Sequence, residues 1–195
     1  LDLISSHLPE SDELKTLTLA VEGAALAVPG VSKSGGASAS ASQRKIALVT
    51  SAGFGQAYQR TGVSLSVSAI AGEGTGMERD YDYSSACHFE DLKTPQEVGK
   101  SAGERAVKRL QARKIASQAV TVIYDKRVAS SLLGHLSSAI NGAAIARGTS
   151  FLKSRMGQQI FAKGISVVDD PLRLRGLASR PFDGEGLPSS RRELI

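Results

Sequence analysis

The chain has 195 residues, enough to bury a core as one domain or two small ones. That length excludes a small peptide scaffold, and with 41% hydrophobic and 22% charged residues, the balance of a folding chain, the chain is neither disordered overall nor a coiled coil. Its net charge of +5 is modest, its apolar stretches fall well short of the roughly 20 residues that span a bilayer, and its single Cys87 excludes a disulfide framework or a multi-cysteine zinc site. These features point to the reducing setting of the cytoplasm and to no membrane segment. The start Leu1-Asp2-Leu3 lacks the basic region and apolar core of a signal peptide and reads as a processed or partial chain.

In chain order, Ser11 is a candidate N-cap with Asp12 and Glu13 in the first turn, followed by Leu14, Leu17, Val21, Ala24 and Ala25 at helical spacing; Val28-Pro29-Gly30 ends the helix. Two β-prone runs, 36–42 and 45–50, lead through Ser51-Ala52-Gly53-Phe54-Gly55 into a further strand, as in a hairpin. From Val63 to Ile70 the period is two, with Val63, Leu65, Val67 and Ala69 on one face and serines on the other. A turn at Gly72–Gly76 precedes an alternating run, Met77–Tyr83, that puts Tyr81 and Tyr83 on one side. Three or four antiparallel strands are expected.

Thr94-Pro95-Gln96-Glu97 combines an N-cap, a proline at the first helical position and the glutamate of a capping box. It opens an amphipathic helix to about Leu110 with Val98, Ala102, Ala106 and Leu110 on one stripe. After a polar connector, Val120–Tyr124 reads as a buried strand. A helix is then expected from Arg127 to about Ala146, with Val128, Leu132, Leu136, Ile140 and Ala144 on its apolar stripe. Gly134, Ser138 and Gly142 lie on a neighbouring stripe that invites close approach. Ile165–Val168 is the clearest later strand, and Asp169-Asp170-Pro171 and Pro181–Gly186 are the clearest breaks. The fold class is α+β, antiparallel sheets with covering helices, divided into 1–112 and 118–195.

The common catalytic signatures are absent. Gly72-x-Gly74-x-Gly76 lies between antiparallel strands and reads as a turn, not a dinucleotide site. Cys87 and His88 are neighbours on an extended chain and point to opposite faces, so they do not form a nucleophile and base pair. His135 reads as a packed or surface residue, and the carboxylate pairs Asp169-Asp170 and Asp183/Glu185 as turn formers rather than cation ligands. The basic pairs Lys108-Arg109, Arg113-Lys114, Lys126-Arg127 and Arg191-Arg192 are scattered, which argues against a nucleic-acid face.

Two longer stretches carry a resemblance: Ala139–Lys153, with Gly142 and Arg147-Gly148-Thr149-Ser150, and Val167–Pro171 continuing to Arg180-Pro181-Phe182-Asp183-Gly184-Glu185-Gly186. Together with Ser64–Ser68 and Arg79–Ser85, they resemble the TldD/PmbA family, specifically its PmbA/TldE branch, in the middle and the start of the C-terminal region of a longer protein. The resemblance implies a subunit of a two-component peptidase acting on small or unfolded peptides. In the TldD branch a His-Glu-x-x-x-His helix holds zinc. Counting back from Arg147-Gly148-Thr149-Ser150 puts those positions at Leu133, Gly134 and Ser138, residues that hold no metal. The implied chain therefore has no catalytic residue or cofactor of its own and pairs with a zinc-bearing TldD-type subunit or with itself. The alternatives are a self-sufficient metalloprotease with ligands outside these residues, and the DNA gyrase modulator of the branch's older name.

Overall fold

Small and β-branched residues alternate along three strands that pair in sequence order. In the computed structural model, which describes residues 1–195, β1 (Val31–Val49), β2 (Gly55–Ala71) and β3 (Glu78–Ala86) form an antiparallel sheet in the order β1-β2-β3. Ser40 lies opposite Ser64, and Ser66 lies between Ser38 and Tyr83. The two runs expected at 36–42 and 45–50 are one strand, because Ser42, Gln43 and Arg44 stay in register with Gly62, Thr61 and Arg60 and the ladder is continuous from Gly36 to Val49.

α1 (Ser11–Leu26) and α2 (Pro95–Lys108) cover one face of this sheet. Leu65, Val67, Ala69 and Ala71 of β2 meet Val21, Ala25, Val98, Ala102 and Ala106 in a single core. Burial of such a side chain stabilises by about 1.5–3 kcal/mol. The capping box forms as the sequence requires: Glu97 N donates to Thr94 Oγ1 at 3.2 Å, and Thr94 N donates to Glu97 Oε2 at 2.9 Å. Ser11 is not the cap of α1. Glu10 holds that position with no side-chain bond, and Ser11 is the first helical residue.

The outer strand β3 guards its own edge. The buried carboxylates of Asp80 and Asp82 accept the amides of Tyr81 and Tyr83 at 2.8 and 2.9 Å, which takes these donors away from any added strand. The two tyrosine rings stack on the other face, 6.4 Å apart.

The chain packs as two units, Leu1–Arg113 with Val168–Leu194, and Lys114–Val167 with Ile195. In the second unit Val120–Tyr124 is not a buried strand. It has no ladder partner, and Ile123 is 91% exposed. Local β propensity forms a strand only where another strand supplies the hydrogen bonds. The expected single helix is two, α3 (Lys126–Ala139) and α4 (Gly142–Ala146). Ile140 caps the first, and the Asn141 side chain accepts from Ala143 N at 2.9 Å to start the second.

The break undoes the Gly134–Ser138–Gly142 stripe as a site of close approach within the chain. A Cβ built on Gly134 or Gly142 meets nothing within 4 Å. Backbone-distance packing occurs instead at Gly99 and Gly103 of α2.

Of the strand expected at Ile165–Val168 only the last residue takes part, in β4 (Val168–Asp169), which pairs with β5 (Arg192–Glu193). No helix is long and apolar enough to cross a membrane.

Candidate functional site

The turn-rich segment 168–192 builds a cleft of about 930 Å³ against the end of β3 in the first unit. Asp169, Asp170, Arg180 and Asp183 all line it, together with Ser85 and Asp91. Each carboxylate is held by a specific donor. Asp169 Oδ2 accepts Nε and Nη2 of Arg192 at 3.2 and 3.0 Å, which pins β4 to β5. Asp170 Oδ1 accepts Leu172 N at 3.1 Å, closing an Asx turn.

Asp183 Oδ1 accepts both Glu185 N and Leu187 N at 2.9 Å, and these amides hold its carboxyl below the usual range. Gly184 and Glu185 are the exposed crest of that turn, closed by Asp183 N donating to the Leu187 carbonyl at 2.9 Å. Gly186 sits at φ +87, where a Cβ would stand 2.8 Å from the Phe54 ring. The buried Phe182 meets Phe54 and Tyr58 edge-on at 5.2 and 5.3 Å, docking the turn on the β1–β2 hairpin. Asp183 and Glu185 therefore shape a turn, as their setting suggests.

In the second unit Arg147-Gly148-Thr149-Ser150 is a helix stop. Gly148 has φ +71, its amide donates to the Ile145 carbonyl at 3.0 Å, and Thr149 N donates to the Ala144 carbonyl at 3.1 Å, the double bond of a Schellman cap. The buried Ser150 donates its hydroxyl to the Ala139 carbonyl at 2.6 Å, tying the turn back to α3. Arg147 is exposed.

An ionic cluster unmarked in the sequence joins the first unit's N-terminal segment to its C-terminal one. Arg175, in the left-handed region at φ +54, donates Nε to Asp2 Oδ2 at 2.7 Å and Nη1 to Glu90 Oε1 and Asp91 Oδ1 at 3.0 and 3.2 Å. Its hydrogen bond holds the Asp2 carboxyl below the usual range, while Glu90 is lowered first by its own backbone amide and then by Arg175 and His88. The guanidinium in turn is held above its already basic range by Asp2 and Asp91. His88 is buried beside this cluster, with Nε2 2.9 Å from the Asp2 carbonyl oxygen and Nδ1 3.4 Å from Glu90 Oε1.

Cys87 is fully buried, its Sγ 3.5 Å from Arg60 Nη2 and 3.6 Å from the Gly176 carbonyl oxygen. The two neighbours have different partners, Arg60 and Gly176 for Cys87 and Asp2 and Glu90 for His88. The signal that could have revealed Arg175 is absent from local pattern, since its partners lie 173, 85 and 84 residues away.

The chemistry of α3 does not suit a metal. Leu133 and Gly134 carry no donor atom and Ser138 offers one neutral hydroxyl, all three exposed, with His135 exposed beside them. No group of three or more His, Cys, Asp or Glu side chains comes together where it could hold a metal ion.

This α+β fold is shared with solved structures. A crystal structure of a candidate modulator of DNA gyrase from Bacteroides thetaiotaomicron superposes with a TM-score of 0.88 at 28% identity, over 96% of this chain and 43% of that one. TldE from Thermococcus kodakarensis shares the fold, with a TM-score of 0.68 at 19% identity over 98% of this chain and 46% of that one. The PmbA/TldA metallopeptidase central domain matches residues 6–110 and the C-terminal domain of the same description matches 117–195, so the chain belongs to the PmbA/TldD metallopeptidase family.

Among curated relatives, Metalloprotease PmbA of Escherichia coli O157:H7 is 41% identical over 143 residues, 73% of this chain and 32% of that protein. The Metalloprotease PmbA homolog of Haemophilus influenzae is 35% identical over 185 residues, 94% of this chain and 41% of that protein. The chain thus spans 32% to 41% of the length of these relatives.

Proposed function

We infer that the chain is part of a PmbA/TldE-type subunit of a two-component, cytoplasmic peptidase for small or unfolded peptides, with zinc held by a TldD-type partner. The observation that carries this reading is α3, where Leu133, Gly134 and Ser138 stand on an exposed helix just before the Arg147-Gly148-Thr149-Ser150 stop without a ligand set among them. These three positions offer zinc one hydroxyl among them, and with the single imidazole of His135 alongside they supply neither the tetrahedral N/S/O set nor the base that activates water. This chain's part is to shape and line the peptide cavity, and the metal of the partner does the hydrolytic chemistry.

The test is peptide cleavage by the purified full-length protein, alone and after mixing with a zinc-bearing relative. The expected result is cleavage only in the mixture, abolished by a chelator. Chelator-sensitive cleavage by the protein alone contradicts the reading and supports a self-sufficient metalloprotease, the activity in the names of its curated relatives. A salt-sensitive association with DNA or gyrase in place of peptides returns weight to the modulator role in the name of the Bacteroides structure.

A further inference from the structure

We propose that Val120–Tyr124 is the docking strand of the second unit, and that what docks on it is the part of the full-length chain that follows Ile195. This inference is independent of the peptidase reading.

The second unit has no core of its own. Of its apolar side chains only Leu136 and Ala139 are buried, while Val120, Val122, Ile123 and Tyr124 are all exposed. Val120–Tyr124 also makes no backbone hydrogen bond. Successive apolar residues with no polar alternation are the pattern of a strand covered on both faces, not of a solvated one. The run is not guarded as an edge either. From Ile115 to Tyr124 it holds no charge and no proline, whereas β3 carries the two buried carboxylates of Asp80 and Asp82. Left bare, or offered only to a partner that comes and goes, such a segment would invite aggregation. These features fit a permanent neighbour within the same polypeptide.

Position then selects the segment. Among residues 1–195 the strands are already committed, β1, β2 and β3 to one sheet and β4 and β5 to each other. The relatives have more than half their length outside the matched span, which covers 32% and 41% of two of them. Leu1 lies in the first unit, but Ile195 belongs to the second. Ile195 N donates to the Val167 carbonyl at 3.2 Å, and Val167 N donates to the Ile195 carbonyl at 3.0 Å. This reciprocal pair is antiparallel, so it aims the residues after Ile195 along 165–166, within the unit that lacks a core. The same residues can supply both the missing ladder and the missing apolar cover.

The experiment combines hydrogen exchange and photocross-linking on the full-length protein, purified without a partner. The amides of Val120–Tyr124 are expected to exchange about a hundredfold more slowly than in an unfolded chain. The photoreactive p-benzoylphenylalanine replaces Tyr124 in one protein and Ile123 in a second, because neighbours on an extended chain face opposite sides. At least one probe is expected to cross-link within its own chain to residues after 195, as read by mass spectrometry. Free exchange at Val120–Tyr124 overturns the proposal. So does a cross-link only to residues before Leu1, to a second copy or to a co-purifying protein, or no cross-link from either probe.

Discussion

A Cβ placed on Gly99 would stand 2.5 Å from the carbonyl oxygen of Val21, so α1 and α2 meet at backbone distance and only a hydrogen fits between them. The other nearest atoms, Ala24 Cβ and Ala25 N at 2.6 and 2.8 Å, belong to the same rigid helix and leave no flexible side chain to give way. Gly99→Ala is therefore expected to destabilise the first unit by at least ~2 kcal/mol, the cost of overpacking a well-filled contact. Gly23→Ala is its counterpart: the site is exposed, nothing lies within 4 Å, and the change relieves the backbone entropy of a helical glycine, stabilising by about 0.5–1 kcal/mol. Urea unfolding of both variants checks the pair, and a neutral Gly99→Ala would show that the helices slide apart freely.

The capping box makes a second expectation with a pH signature. Thr94→Ala removes the acceptor of Glu97 N and is expected to cost about 1 kcal/mol. The backbone amide and hydroxyl of Thr94 hold Glu97 below its ordinary value of 4.5. A depressed folded-state value means that this contribution is whole above about pH 4.5 and is lost as acid carries the pH down through the lower value. The stability gap between the natural and Thr94→Ala proteins should therefore narrow below pH 4.5, as read by circular dichroism.

Arg175 provides a larger acid-sensitive junction. Its carboxylate partners Asp2 and Glu90 are both lowered, from ordinary values of 3.8 and 4.5. Their contribution to stability is present above these values and disappears as the pH falls through the depressed ones. Arg175→Gln is expected to destabilise the natural fold at neutral pH, and that difference should shrink below about pH 4. A difference that holds constant from neutral pH to pH 3 would show that Arg175 acts through its backbone at φ +54 and not through its charge.

Gly142 separates folding from assembly. From the sequence it reads as part of a tight helical stripe, where Gly142→Leu should abolish folding or assembly. In the structure it is the exposed first residue of α4, with nothing within 4 Å of an added Cβ. Gly142→Leu is now expected to leave the fold intact with a loss below ~1 kcal/mol, as for an unremarkable surface substitution. Native unfolding behaviour together with a loss of pairing would place Gly142 against a partner. Loss of folding would contradict the open position seen here.

What could be read from the sequence was what local chemistry decides. The alternation from Val63 to Ile70 placed Val63, Leu65, Val67 and Ala69 on the buried face, and Thr94 with Glu97 placed the start of α2, because each pattern is settled within a few residues. Asn141 was invisible as a break, since it lies on an otherwise helical pattern and acts only when its side chain turns to cap the next helix. Val120–Tyr124 misled because propensity cannot report a missing ladder. The motif residues Asp169, Asp170, Arg180 and Asp183 were found but not their geometry, and Arg175 was missed altogether because its partners are assembled by the fold.

The most direct test of the silent-subunit reading is affinity purification of tagged full-length protein from its native lysate, with the co-purifying chains identified by mass spectrometry and zinc counted per chain. The expected result is a relative carrying His-Glu-x-x-x-His at close to one per tagged chain, with zinc in that relative. The contradicting result is the tagged protein alone, as a homodimer that carries one zinc per chain and cleaves peptides.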